Sequence, residues 1–329
     1  MADLARDPPA ALVLINPGAA GGRAARAAPA IGQWLQQFAR QASHPGLIQG
    51  LAHGLAQGLT QGMDDRPAPQ LHIPSSPEAT EALLLQAPPG SRVVLVGGDG
   101  TVHRALPALM ARGHSLGLVP WGSGNDTARA LGLLGRPWPQ ALAWALTAPA
   151  RALDLGQCSA QGQSWYFISS LAAGFDACVG LRALHGPRWL RGLPKYLWAT
   201  LAELAHLQCH PMQVRVDEGP WHQGPCLFVS VLNTATYGGG MPAVPHAQPH
   251  DGLLDAIIAG HLSRGATALL LPRLLAARHL SHPQVHQQRL STLSVECEVP
   301  VALAGDGEPL IRTDRWQVRA CPGALQVVY

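Results

Sequence analysis

Three times before Ala130 the chain runs a short apolar segment into a glycine-rich turn and then into a helix-forming stretch. That repeated unit restricts the fold more than anything else in the sequence. Ala10–Ile15 ends in Asn16-Pro17-Gly18, with Gly21 and Gly22 close behind. Arg92–Val96, β-branched and bounded by Pro88-Pro89-Gly90, ends in Gly97-Gly98-Asp99-Gly100-Thr101. Ser115–Val119 ends in Pro120-Trp121-Gly122-Ser123-Gly124-Asn125-Asp126. Short β-branched runs bounded by glycine read as buried strands. Strands alternating with helices require a parallel sheet with right-handed crossovers. In such sheets ligands bind beyond the carboxyl ends of the strands, and all three glycine turns fall there.

The remaining segments fit this frame. Gln70–Ile73 reads as a further short strand. Ser76-Pro77-Glu78 supplies an N-cap, a proline at the first helical position and an acid in the first turn, opening a helix through Gln86. Helices are expected over about 23–40 and 102–111. Gly46, Gly50, Gly54, Gly58 and Gly62 recur every fourth residue. On a helix they would form one stripe allowing close contact, but each costs about 1 kcal/mol against alanine, which favours an insertion over about 41–70. After Ala150 strand-like segments follow one another: Ala152–Gln157, Trp165–Ser169, Gln213–Val216, Leu227–Leu232, Leu254–Ile258, Leu293–Cys297, Val299–Ala302 and Arg315–Tyr329. Helices at about 193–208 and 265–278 interrupt them. The expected architecture is an α/β N-terminal domain with a parallel sheet over 8–148, then a β-rich, mostly antiparallel domain over 149–312.

Composition narrows the chemistry. Hydrophobic residues make up 47% and charged residues 13% of 329, which suits packed cores and excludes a disordered chain. A formal charge of +3 is too small to argue for nucleic acid. Lys195 is the only lysine, so there is neither a Walker-A lysine nor a protein-kinase strand lysine. Phosphate chemistry here must use backbone amides, arginine and metal. Six scattered cysteines without a C-x-x-C read as reduced thiols, and the 15 histidines show no metal-ligand spacing. Residues 1–9 lack a signal-peptide pattern, and no apolar run reaches the ~18 residues of a spanning helix. A cytoplasmic protein, peripheral to a membrane at most, is expected.

Glycines at 97, 98 and 100 let the backbone pass close to a phosphate chain, with amides of the turn and helix N-terminus as donors. Asp99 would repel bare phosphate, so it makes sense there if Mg²⁺ lies between them; the alternative is a helix cap. Ser123 can donate to a phosphate oxygen. Asn125 and Asp126 could cap the next helix or reach the first loop. Asn16-Pro17-Gly18 with Gly21-Gly22, taken alone, reads better as a plain turn.

Together these segments resemble the diacylglycerol-kinase catalytic family, which includes sphingosine kinases and bacterial lipid kinases and has an NAD-kinase-like fold. The resemblance continues through Arg151-Ala-Leu-Asp154-Leu-Gly, Gly174-Phe175-Asp176, Tyr237-Gly-Gly-Gly240-Met-Pro242, Asp251-Gly252-Leu253-Leu254-Asp255 and Asp306-Gly307-Glu308-Pro309-Leu310. It implies that Gly97, Gly98, Asp99, Gly100, Thr101 and Ser123 contact ATP, with Asp99 also serving Mg²⁺. Asn16 would shape the nucleotide pocket, and Asn125 and Asp126 would belong to the same set. Glu308 would accept the proton of a lipid hydroxyl. A structural Mg²⁺ would sit on the Asp251 side chain and the carbonyls of Gln248 and Leu253, where the alternative is an Asp-Gly hairpin turn. Segment 313–329 would return to the first domain. Trp121 is bulkier than the family residue there and would narrow the nucleotide side; Ser75 or Ser76 matches a hydroxyl residue near adenosine.

The implied function is Mg-dependent transfer of the γ-phosphoryl of ATP to the hydroxyl of a lipid such as diacylglycerol. The alternatives are a kinase of a soluble acceptor such as NAD, or a nucleotide- or lipid-binding protein without catalysis. Expected partners are the lipid substrate and a membrane surface, with a homodimer allowed. In 181–198, Arg182, Arg188, Arg191 and Lys195 interleave with Trp189, Leu190, Leu193 and Trp198. That suits a headgroup interface or a buried helix with a solvated basic face.

Overall fold

The structure, a computed structural model, describes residues 10–42, 67–187 and 189–329. The glycine repeat at 46–62 lies outside the described residues. The chain divides into two compact units, Met1–Gly122 with Gly132–Arg151 and Leu325–Tyr329, and Ser123–Leu131 with Ala152–Ala324.

In the first unit β1 (Leu12–Ile15), β2 (Gln70–His72), β3 (Arg92–Gly97) and β4 (Ser115–Pro120) form a parallel sheet in the order β2-β1-β3-β4. The end of the chain adds to it: Gln326 and Val327 run parallel to Ser115 and Leu116. Helices α1 (Ala19–Ala42), α2 (Pro77–Gln86), α3 (Asp99–Arg112) and α5 (Trp138–Thr147) belong to this unit; α4 (Asp126–Ala130) belongs to the second. Core residues on α1 recur as Ala24, Ala28, Ile31 and Leu35, one helical face. They meet Val13, Ile15, Val94, Val96 and Val119 of the strands and Ala141, Leu142, Ala145 and Leu146 of α5. Ser76 caps α2 as expected, its Oγ accepting the Ala79 N–H at 3.2 Å, an arrangement worth about 1 kcal/mol. Gly113 closes α3 in the left-handed region at φ 63°.

The second unit holds β5 (Ala150–Ala160), β6 (Gln163–Phe167), β7 (Ser170–Gly174), α6 (Phe175–Leu184), α7 (Leu193–Glu203), β8 (His210–Val216), β9 (Trp221–Cys226), β10 (Phe228–Leu232), β11 (Leu254–Ala259), α8 (Arg264–Leu275), β12 (Val285–Leu290), β13 (Thr292–Gly305) and β14 (Glu308–Val328). β13 pairs β8 through Leu293–Cys297 and β7 through Leu303–Gly305, and β14 also runs antiparallel to it. From β7 the pairing continues antiparallel through β10 and β11 to β12. The core gathers Phe167, Val214, Val231, Ile258, Leu303 and the fully buried Trp316. The α/β and antiparallel β classes are therefore as the sequence implies. One expectation changes: 293–297 and 299–302 are a single strand. Pro300, which cannot donate to a ladder, sits where the β13–β14 register breaks between Glu296 and Val301, so the strand carries it without losing its course.

Close packing of β4 against α5 gives a direct test. A Cβ at Gly117 would lie 2.8 Å from the Ala145 Cβ and 2.9 Å from the Ala145 carbonyl oxygen. Gly117→Ala is expected to cost about 1–3 kcal/mol, the range for overpacked cores, measured from the shift in urea midpoint.

Candidate active site

Two of the three glycine turns lie wholly in the first unit, with the beginning of the third. Asn16 follows β1; its side-chain Nδ2–H donates to Thr101 Oγ1 at 2.7 Å, and its Oδ1 accepts the Gly18 N–H at 3.0 Å. The Asn16 N–H donates to the Val96 carbonyl at 3.1 Å, and the Trp121 N–H to the Gly97 carbonyl at 2.7 Å. The ends of β1, β3 and β4 are thus tied by hydrogen bonds. Gly97 is required at its position: a Cβ there would stand 2.5 Å from Thr101 Oγ1, displacing the hydroxyl that Asn16 holds. Gly98 occupies the N-cap of α3, and Asp99 lies in its first turn, partly exposed. The amides of that helix start are the donors an anion uses.

Beside these turns is a cavity of about 260 Å³ lined by Asn16, Gly18, Ser75, Ser76, Thr101 and Arg104. The structure therefore brings Ser75 and Ser76 to the Asn16 turn, although the Ser76 hydroxyl also serves as the α2 cap. Arg104 was missed by sequence reasoning. The available signal was its spacing, three residues after Thr101 on a helix, which places both on one face. Trp121 packs on the apolar core of the unit.

The other expected residues belong to the second unit. Asn125 takes a left-handed conformation at φ 54° before the short helix α4. Asp126 is buried; its Oδ2 accepts the Gly239 N–H at 2.8 Å, and its Oδ1 lies 3.7 Å from Arg129 Nε. The carboxylate thereby fixes the Gly238-Gly239-Gly240 turn. A Cβ at Gly239 would meet Leu193 N at 2.6 Å, and one at Gly240 would meet Arg129 Nε at 3.0 Å, so the triple glycine answers to crowding. Ser123 lies beside Gly192, whose Cβ position is 3.2 Å from the Ser123 carbonyl oxygen.

Asp306 turns the chain between β13 and β14 at φ 48°. Its Oδ2 accepts the Ile168 N–H at 3.0 Å, and its Oδ1 accepts those of Ser169 at 2.7 Å and Ser170 at 3.1 Å. Its own N–H donates to the Ser170 carbonyl at 2.8 Å. Glu308 follows, partly exposed, at the first position of β14.

Gln248, Asp251 and Leu253 share one turn. The Asp251 Oδ1 accepts the Leu253 N–H at 3.1 Å, and its Oδ2 forms an ion pair with Arg289. A dication at this turn would compete with that guanidinium for a single carboxylate. Among the described residues no three His, Cys, Asp or Glu side chains gather as a metal site. The buried Asp154 steadies the turn instead, accepting the Gly252 N–H at 2.6 Å and the Gly323 N–H at 2.7 Å.

The chain thus carries a parallel α/β unit with amide-rich strand ends, followed by an antiparallel unit in which Glu308 follows the pinned Asp306 turn. Residues 10–158 match the diacylglycerol kinase catalytic domain, and residues 169–329 match the YegS C-terminal NAD kinase beta sandwich-like domain. A diacylglycerol kinase of Mycobacterium tuberculosis is 33% identical over 240 residues, covering 72% of this chain and 76% of that one. A Stenotrophomonas maltophilia protein named "Probable lipid kinase YegS-like" is 29% identical, covering 71% and 77%. A diacylglycerol kinase structure from Bacillus anthracis superposes with a TM-score of 0.68 at 16% identity over 97% and 96% of the two chains. The chain belongs to the diacylglycerol kinase family of lipid kinases, ATP-dependent phosphotransferases acting on an alcohol acceptor.

Burial raises the Asp176 carboxyl above its ordinary value of 3.8, against opposing hydrogen bonds from Ser230 and Tyr237. A raised folded-state value means a stability contribution fully present below the unfolded value and lost as pH rises through the folded one. The contribution of this carboxyl to stability therefore falls as pH rises above the ordinary carboxylate range. Asp176→Asn should raise the thermal midpoint relative to wild type more at pH 7.5 than at pH 4, in melts run at both.

Proposed function

We propose that this protein transfers the γ-phosphoryl of ATP to the hydroxyl of a membrane lipid of the diacylglycerol type, with Mg²⁺. The observation that carries the reading is the Asp306–Glu308 turn. Three backbone N–H groups fix Asp306, and Glu308 follows at a strand start with its side chain partly exposed. A hydroxyl must lose its proton as phosphoryl arrives, and a fixed carboxylate is suited to take it. Glu308 is assigned that role.

The first unit supplies the nucleotide site. Backbone amides of Gly97–Thr101 and the start of α3 face the phosphates, with Asn16 holding Thr101 in place. Ser123 donates to a phosphate oxygen, and Asn125 and Asp126 shape the segment that carries it. Asp99 fits as the residue that holds Mg²⁺, since a carboxylate among phosphate-binding amides is otherwise repulsive. The ion would offset the charge of the phosphoryl oxygens.

A lipid acceptor requires contact with a membrane. No helix among the described residues is long and apolar enough to cross one. The α6–α7 region instead exposes Leu184, Leu201 and Trp189, the last 80% exposed, near Arg191 and Lys195 in the sequence. We assign peripheral contact to this surface. Trp189→Ser is expected to reduce co-sedimentation with vesicles containing anionic phospholipid without changing the melting midpoint.

The deciding assay is transfer from γ-labelled ATP with Mg²⁺ to a mixed-micelle lipid panel, run beside NAD. Labelled lipid is expected; label on NAD alone would make the acceptor class wrong. Two variants should separate the roles. Glu308→Ala should lower kcat at least about 100-fold, the low end for a general base, with ATP affinity unchanged. Gly97→Ala should lower ATP affinity itself, because its methyl displaces Thr101. Both affinities can be read by equilibrium dialysis.

A further inference from the structure

The side chain lying against the acceptor turn is Tyr196, on α7. Its ring rests on the glycine loop: a Cβ at Gly238 would be 3.4 Å from Tyr196 Cδ1 and 3.6 Å from Cγ. Its hydroxyl reaches the next motif, since a Cβ at Gly307 would be 3.3 Å from Tyr196 Oη. One aromatic side chain therefore spans the Gly238–Gly240 turn and the Asp306–Glu308 turn. Its position is determined on several sides. The N-terminus of α7 is pressed on the glycine loop so closely that Gly239 admits no Cβ, with Leu193 N at 2.6 Å and the Gly192 carbonyl carbon at 2.7 Å from that point. The glycine loop is held in turn by Asp126 through the Gly239 N–H. The acceptor turn is held by the three amide bonds to Asp306. Tyr196 is half-buried and packs on the apolar cluster that includes Phe175, Val179 and Ala199.

A phenol can both donate and accept a hydrogen bond. Gly307, at φ 81°, has no side chain, and a Cβ there would crowd that oxygen at 3.3 Å. We propose that Tyr196 is a positioning residue for phosphoryl transfer: its hydroxyl, held over Gly307, fixes the peptide that aims Glu308 at the acceptor hydroxyl. The assignment rests on Glu308 being the proton acceptor. It differs from a packing role because it resides in the oxygen rather than the ring. A misplacement of about 1 Å at a catalytic group can cost on the order of 100-fold in rate, so loss of one orienting hydroxyl should cost about tenfold.

The experiment compares wild type, Tyr196→Phe and Tyr196→Leu in the full chain, using the labelled-ATP micelle assay and thermal melts. Tyr196→Phe keeps the ring on Gly238, so its melting midpoint and its KM for ATP should match wild type while kcat falls about tenfold. Tyr196→Leu loses the ring as well, and should lose both kcat and melting midpoint. A Tyr196→Phe enzyme with wild-type kcat overturns the proposal and leaves the lipid-kinase reading intact. A Tyr196→Phe midpoint as low as that of Tyr196→Leu also overturns it, by making the hydroxyl a folding element. A wild type that labels no lipid overturns the lipid reading and, with it, this assignment.

Discussion

Backbone N–H groups that no strand pairs need another acceptor, and at several turns of the second unit aspartate carboxylates supply it. Asp306 takes three amides, from Ile168, Ser169 and Ser170. Asp154 takes those of Gly252 and Gly323. Asp217 takes those of Ser291 and Thr292, and Asp126 takes that of Gly239. Each joins segments far apart in the chain, so each fixes a turn that local propensity alone would leave loose. Hydrogen bonds to an ionised acceptor contribute roughly twice what neutral ones do. These turns carry most of the motif residues of the second unit, so their placement depends on such staples more than on the strands beside them.

This explains which parts of the fold were legible. Strands β1, β3 and β4 are short apolar runs, valine-rich in β3, and the α2 start carries Ser76-Pro77-Glu78; local chemistry announces both. β7 reads Ser-Leu-Ala-Ala-Gly, a composition with little strand preference. It is a strand because β10 and β13 pair with it on either side. β12 reads Val-His-Gln-Gln-Arg-Leu and pairs only with β11; its polar middle hid it. In both cases the deciding partners are remote in sequence.

The site was legible in residue type and only partly in role. The pairing of Asn16 with the Gly97–Thr101 turn follows from strand order, since β1 and β3 are neighbours in a parallel sheet. The resemblance sets Asp126 among the nucleotide residues; the structure adds that its Oδ2 holds the Gly239 amide, 113 residues away, which the sequence does not signal. Asp154 marked a domain start in the sequence, yet it braces the Asp251 turn. At that turn Arg289, on the edge strand β12, sets a guanidinium against Asp251. Nothing near Asp251 in the sequence signals it, because the pairing of β11 with β12 brings it there.

Backbone strain marks the same places. L-residues in the left-handed region cost about 1 kcal/mol or more each, and only a few of the described non-glycine residues adopt it. Ala20, Asn125 and Asp306 are among them: one beside the first glycine turn, one at the start of α4, one in the turn between β13 and β14. Asn tolerates this conformation through its short polar side chain, and Asp306 is compensated by its three amide bonds. Ala20 has no such device, but Gly21 and Gly22 share its conformation at φ 68° and 81°. Ala20 thus places a cost where β1 hands over to α1, as Ala277 does after α8. A chain selected for stability alone would place a glycine or asparagine there. Three left-handed residues in a row turn the chain between Asn16-Pro17-Gly18 and the regular helix, with the Gly21 N–H donating to the Gly18 carbonyl at 3.2 Å.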